Sequence, residues 1–254
     1  IQTSLNRYDS DLKGFNPDKI PDKPLVHLAN HVLIADEKDF KVKQTYLDTV
    51  LRWFSTEIEQ VGVGSMKKNL DAWASRNTAG LIPHSGIDIT KDTRLVVQNA
   101  LLFAAQWDSP FKAEDTSQED FTLAGGKTVK ADLMHDTRSV PHTTGKGWAA
   151  VRLSYAGGED GKDSNLALDV VLPDTGTLPG AMDAGTWAEA SKALDKAQAK
   201  EVRLALPKLD LTSHPKELLE FLKEQGLKPD GLDKIAPKLA LTQVVQQVRL
   251  ILDE

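Results

Sequence analysis

The chain has no cysteine among its 254 residues. Disulfides, a thiol nucleophile and thiolate-bound zinc are therefore excluded, because each requires sulfur. The compartment stays open, since a chain of this size folds without cross-links even in an oxidising space. Basic residues are not in excess either: 31 Lys and Arg face 37 Asp and Glu, a formal net charge of −6. A general nucleic-acid binder carries a basic stripe, and Lys67, Lys68, Lys127 and Lys130 do not form one. No apolar run approaches the roughly 20 residues of a membrane-spanning helix. The opening stretch IQTSLNRYDSD is polar and lacks the apolar centre of a signal peptide. Internal repeats and low-complexity tracts are also missing. Neither a nucleic acid nor a membrane is thus an expected partner.

What is present suffices for a globular core. The hydrophobic fraction is 40%, and the length fits one large domain or two small ones. Residues 1–23 are polar and punctuated by Pro17 and Pro21, and read as a frayed or connecting segment. Residues 25–36 read as a strand, and Val42, Tyr46, Val50 and Phe54 give residues 41–54 a helical stripe. Ser65 is a candidate N-cap. The helix behind it places Met66, Leu70, Trp73 and Asn77 on one face, and Gly80 supplies a C-terminal stop. A long strand is predicted over 93–107. A hairpin around Gly125-Gly126 joins Phe121 to Met134. Trp148 to Tyr155 and Leu166 to Leu172 form a further strand pair across the polar turn Gly157 to Ser164. Residues 179–198 are mainly helical, and Val202 to Leu211 is a strand. Pro215 to Glu224 reads as a helix with Leu218, Leu219 and Leu222 inward, and a strand over 243–253 closes the chain. Helices and strands mix without strict alternation, which favours α+β over a doubly wound sheet.

Three strands share a peculiarity. In Leu95 to Trp107 the odd positions fall on one face, and that apolar face holds one amide, Asn99. In Leu25 to Ala35 the face Val26, Leu28, Asn30, Val32, Ile34 holds Asn30. In Val244 to Leu252 the alternate positions hold Gln246. A buried amide without a partner costs about 1–3 kcal/mol. Two readings fit: three unrelated amides each satisfied by backbone, or a polar network between adjacent strands that latches a place where the sheet opens.

Longer motifs bear on that choice. Asn69 to Pro83 (NLDAWASRNTAGLIP), Asp92 to Asn99 (DTRLVVQN), Trp107 to Phe111 (WDSPF) and Glu119 to Phe121 follow in order. Val129 to His135, Tyr155 to Gly158, Leu168 to Asp174, Leu204 to Leu209 and Asp253-Glu254 continue the series. No single motif decides, but their order and spacing resemble the serpin family of protease inhibitors over nearly the whole chain, most weakly before Leu25. The resemblance implies an α+β serpin fold, with a large central mixed sheet, two smaller sheets and surrounding helices. Residues 1–254 would form a single serpin domain, partial because the family's first helices and last strands have no counterpart here. The alanine-rich, cysteine-free composition suits a bacterial member.

Other chemistries are weaker. His27 and His31 are spaced for a metal on a helix, but the segment reads as a strand, no Glu follows the first His, and no third ligand is evident. His135-Asp136 and His142 have no serine elbow to serve. Gly125-Gly126-Lys127-Thr128 lacks the upstream glycine of a phosphate loop and is explained by a hairpin. No enzyme constellation, metal site or cofactor is implied.

The resemblance assigns a sheet-opening role to five residues. Asn99 matches an asparagine that bonds a histidine on the neighbouring strand in many serpins. Gln246 occupies the histidine position here, and an amide can still donate and accept but cannot titrate. Trp107 matches the tryptophan beneath the point where the reactive loop enters the sheet. Lys208 matches a lysine that pairs with the glutamate at the base of that loop, here Glu254. An exposed pair of this kind is worth only about 0–1 kcal/mol. The implied mechanism is the trapping of a serine or cysteine protease: the protease cleaves the loop, the loop inserts as a strand, and the acylated protease is dragged along. The reactive loop would begin at Glu254. The alternative is a non-inhibitory serpin: a ligand carrier, a chaperone or a structural relic. A secreted monomer is the family expectation.

Overall fold

The computed structural model describes residues 11–123, 126–157, 166–174, 177 and 179–254. In chain order the regular elements begin with β1 (Leu25–Ala35), α1 (Gln44–Phe54), β2 (Glu57–Val61), α2 (Val63–Asn77) and β3 (Leu95–Ala104). β4 (Thr116–Thr122), β5 (Thr128–Gly145), β6 (Trp148–Ser154), β7 (Ala167–Pro173), α3 (Ala184–Leu194) and β8 (Ala199–Pro207) follow. The last are β9 (Leu209–Thr212), β10 (Lys216–Glu217), α4 (Leu219–Glu224), β11 (Val245–Gln246) and β12 (Arg249–Leu252). Two compact units result: Ile1–Ile20, Leu25–Ala104 and Leu211–Leu250 in the first, and Pro21–Pro24, Ala105–Asp210 and Ile251–Glu254 in the second.

In the first unit β1 lies between a parallel β2 and an antiparallel β3, in the order β2-β1-β3. β3 is thus an outer strand of the described sheet. The register sets Leu33 opposite Val96, His31 opposite Gln98, Ala29 opposite Ala100 and His27 opposite Leu102. Helix α2 packs on this face, burying Met66 and Leu70 against Leu33, Ala35 and Val96. The predicted inward set Met66, Leu70, Trp73 and Asn77 is buried as expected. The N-cap is Gly62 rather than Ser65, which lies inside the helix and donates its amide to the Gly62 carbonyl. At the other end Gly80, with φ +80°, donates to the Ser75 carbonyl and closes the helix.

The buried face of β3 is not the odd-numbered one. Val96, Ala100, Leu102 and Ala104 are buried, whereas Val97, Leu101 and Phe103 are exposed. The bulky face attracted the sequence reading. The even face is covered in two parts: Met66 and Leu70 of α2 pack on Val96, and the segment before β1 packs on Leu102 and Ala104. Residues 11–20 are not frayed: Leu12, Phe15 and Ile20 pack on Leu25, Leu102 and Ala104. The predicted helix at 215–224 is shorter. Lys216 and Glu217 pair with Gln246 and Val245, and the Glu217 carboxylate accepts from the amides of Leu219 and Val244. The predicted strand 243–253 is broken into β11 and β12, with Val248, Leu250 and Ile251 exposed.

In the second unit β4, β5, β6 and β7 follow one another and β8 pairs with β5. β5 is long enough to serve three partners: β4 through Met134, β8 from Leu133 to Pro141, and β6 from His142 onward. The hairpin and the β6–β7 pair match expectation; residues 124 and 125 and most of the turn Gly157 to Ser164 lie outside the described residues. Trp107, Phe111, Met134, Val140, Leu153 and Leu204 form one core. Trp148, Ala150, Ala190 and Leu194 form another beneath α3, whose N-cap Asp183 accepts from the Thr186 amide at 2.7 Å. Gly145 is required here, because a Cβ would sit 2.2 Å from the Trp148 ring.

Candidate functional site

The residues singled out for sheet opening fall into two groups. In the first unit Asn99 lies opposite Asn30 across the β1–β3 ladder. The Asn99 Nδ2 donates to Asn30 Oδ1 at 2.9 Å and to the Ala29 carbonyl at 3.0 Å. The Asn30 Nδ2 in turn donates to the Phe54 carbonyl, at 2.9 Å, at the last residue of α1. A chain of amide bonds therefore runs from β3 through β1 to α1. Two of the three strand amides meet. The third does not join them: Gln246 is exposed and pairs through its backbone with Lys216. The expected Asn99–Gln246 contact is replaced by Asn99–Asn30, because β1 rather than the closing strand is the hydrogen-bonded neighbour of β3.

The second unit gathers Trp107, Lys208 and Glu254 at the end of β12. The Trp107 Nε1 donates to the Asp253 carbonyl at 2.8 Å. Its ring stacks on Tyr155 at 5.0 Å and meets Phe111 edge-on at 6.2 Å, so the donor is aimed by a packed aromatic group. The Lys208 Nζ is 2.7 Å from Glu254 Oε2 and 2.5 Å from Asp253 Oδ1. Glu254 also accepts from the Thr116 hydroxyl at 2.8 Å. Hydrogen bonds from the Glu254 amide side and from Lys208 hold the Asp253 carboxyl down at about 2, and the two carboxylates raise the Lys208 ammonium well above its usual range. The Lys208 and Asp253 side chains are substantially exposed, so solvent screening keeps the energetic value small. The geometry fixes where the chain leaves β12. Asp253 and Thr116 join as partners that the sequence does not mark: Asp253 stands out only as the neighbour of Glu254, and nothing distinguishes a lone threonine.

The remaining candidates have local roles. His27 Nε2 lies 3.0 Å from Asn77 Oδ1, and His31 stacks on Trp73, so both histidines face α2. His135 Nε2 is 2.7 Å from Glu119 Oε1, which also accepts from Ser117. That serine points at the carboxylate and not at the imidazole.

With this geometry in hand, the family model described as Serpin (serine protease inhibitor) matches residues 2–254. The chain belongs to the serpin family. Among curated serpins, Alpha-1-antiproteinase 2 of Equus caballus is 26% identical over 247 residues, covering 92% of this chain and 56% of that protein. Serpin I2 of Homo sapiens is 27% identical over 244 residues, covering 90% and 58%. An uncharacterized serpin-like protein of Thermococcus kodakarensis is 27% identical over 199 residues, covering 76% and 44%. The chain thus spans about half the length of these relatives. Human thyroxine-binding globulin complexed with thyroxine has a TM-score of 0.74 at 20% identity, covering 91% of this chain and 63% of that one. The thermophilic serpin tengpin in the latent state has a TM-score of 0.70 at 19% identity, covering 88% and 60%. The architecture is the α+β serpin fold.

Proposed function

We propose that the chain is part of an inhibitory serpin that traps a serine or cysteine protease by inserting its cleaved reactive loop as a strand. The observation that carries this reading is the position of β3, an outer strand of the described sheet β2-β1-β3. An outer strand offers main-chain groups to an incoming one, and serpin loop insertion is recognition by strand addition. Both units then belong to one serpin domain. The cluster around Trp107, Lys208, Asp253 and Glu254 supports the reading from the other side, because it anchors the base from which such a loop would pivot. In this role Lys208 and Thr116 hold Glu254 until insertion, and Asn99 with Asn30 holds β3 on β1. The partner is a protease, met as a secreted monomer.

The test is incubation of the full-length protein with a panel of serine and cysteine proteases. Inhibition predicts a covalent complex that survives SDS with at least one of them. Cleavage of the protein by every protease, with no such complex, overturns the inhibitor reading. That outcome favours a ligand-carrying serpin, a reading supported by the fold similarity to thyroxine-binding globulin complexed with thyroxine.

A further inference from the structure

We propose that His31 is an acid-sensitive pin fastening helix α2 to the sheet. The side chain projects from β1 and is fully buried, with 0% of its surface exposed. Its ring stacks on Trp73 of α2, with centroids 5.2 Å apart and planes 15° from parallel. The imidazole is therefore part of the helix–sheet contact rather than beside it. Its two nitrogens are unequally served. Nδ1 lies 3.0 Å from the Gln98 Nε2 on β3. Nε2 is buried and has no hydrogen-bond partner among the described residues, and the nearest carboxylate oxygen, Glu59 Oε2, is 3.8 Å away, too far for a hydrogen bond.

Those distances assign the neutral ring. With the Gln98 amide donating, Nδ1 accepts, and the single ring proton sits on Nε2. A second proton would have to enter at Nδ1, where it would face the Gln98 amide protons. The amide would need to turn over, and a positive charge would appear in a buried contact. The surroundings offer little compensation. From β2, Glu57 is already committed: Trp73 Nε1 donates to it at 3.0 Å and Arg76 pairs with it at 3.0 Å through both carboxylate oxygens. Glu59, also on β2, is itself pushed towards its neutral form by burial and by Glu57. From α2, Arg76 adds a like charge. On the same face of β1, His27 is turned to Asn77. Burial accordingly depresses the His31 pKa, with Glu57 opposing and Arg76 assisting.

The sign follows directly. A histidine whose folded pKa lies below its unfolded value of about 6.5 binds fewer protons in the docked state. Docking of α2 is at full strength above about pH 6.5 and weakens as the pH falls through that value towards the folded pKa. Each unit of depression is worth about a tenfold change in the opening equilibrium. The inference concerns helix docking and is independent of whether the protein inhibits a protease.

Hydrogen exchange of residues 63–77 in the full-length protein, corrected for intrinsic rates, reads the opening. From pH 7.5 to 5.0, protection of α2 should fall in the wild type, by at most about thirtyfold, the ceiling set by the unfolded pKa of about 6.5. In His31→Gln it should be flat over the same range. His84, exposed and 3.6 Å from Asp71 on the same helix, is retained in that variant and serves as an internal control. Gln98→Glu gives a second arm: a carboxylate at Nδ1 accepts from the protonated ring, raises the docked pKa and should shrink or abolish the loss of protection between pH 7.5 and 5.0. If His31→Gln does not fold, this arm alone decides. Protection that is independent of pH in the wild type, or a pH response unchanged by both substitutions, overturns the proposal.

Discussion

Asn99 and Asn30 act as one unit, because Asn99 donates to the Asn30 side-chain carbonyl oxygen and Asn30 donates onward to the end of α1. Asn99 is exposed rather than buried, so removing it returns the Asn30 Oδ1 and the Ala29 carbonyl to water. Once Asn99 is gone, removing Asn30 as well costs less than it would alone. Asn99→Ala and Asn30→Ala should therefore destabilise non-additively, with a coupling of about 0.5–3 kcal/mol in a double-mutant cycle by denaturant unfolding. Gln246→Ala combined with Asn99→Ala should be additive, since the two residues do not meet. Additive losses for the asparagine pair would sink the network. The sequence made these amides visible, since each interrupts an apolar alternation. Their pairing was not visible, because which strand lies beside β3 is a property of topology and not of the strand's own pattern.

At the scale of elements, α2 shows what could be read and what could not. Its stripe Met66, Leu70, Trp73, Asn77 has one helical period and a glycine stop, so the element and its inner face were legible. Its start was not. A serine preceding an apolar period resembles a cap, but the chain turns into the helix at Gly62, directly after β2. β2 itself escaped notice because Glu57-Ile-Glu-Gln-Val61 alternates over only five residues, with carboxylates that have work in the helix contact. β10 escaped for a related reason: two residues pair only because β11 lies opposite. The α2 stripe gives a direct prediction. Leu70 is completely buried, and Leu70→Ala should cost about 2–5 kcal/mol. Lys68, exposed two residues earlier, should cost within about 0.5 kcal/mol on the same change. Equal losses at the two positions, measured by urea denaturation of the full-length protein, would refute the assigned packing of α2.

At the scale of the molecule, the two readings of function differ in where the energy lies. In an inhibitor the intact fold is held by a kinetic barrier, and a strand waits to be added beside β3. Adding about ten residues of strand would contribute on the order of ten hydrogen bonds at about 0.5–1.5 kcal/mol each. Each kilocalorie raises the midpoint of a domain of about 150–250 residues by about 2–4 °C and that of a longer one by less, so insertion should raise it by on the order of 10 °C or more. In the proposed role Asp253 and Glu254 anchor the base of the reactive loop, so the cut belongs within that loop in the full-length protein. Limited proteolysis there, followed by thermal scans at a fixed rate, should give the rise if the loop inserts. Lys208→Ala should leave the midpoint of the cleaved form high, because in the proposed role the Lys208–Glu254 pair restrains the start of insertion and not its end. A cleaved protein that melts where the intact one does has no stored difference to release. Protease trapping by loop insertion would then lack its driving force, whatever the protein's affinity for other ligands.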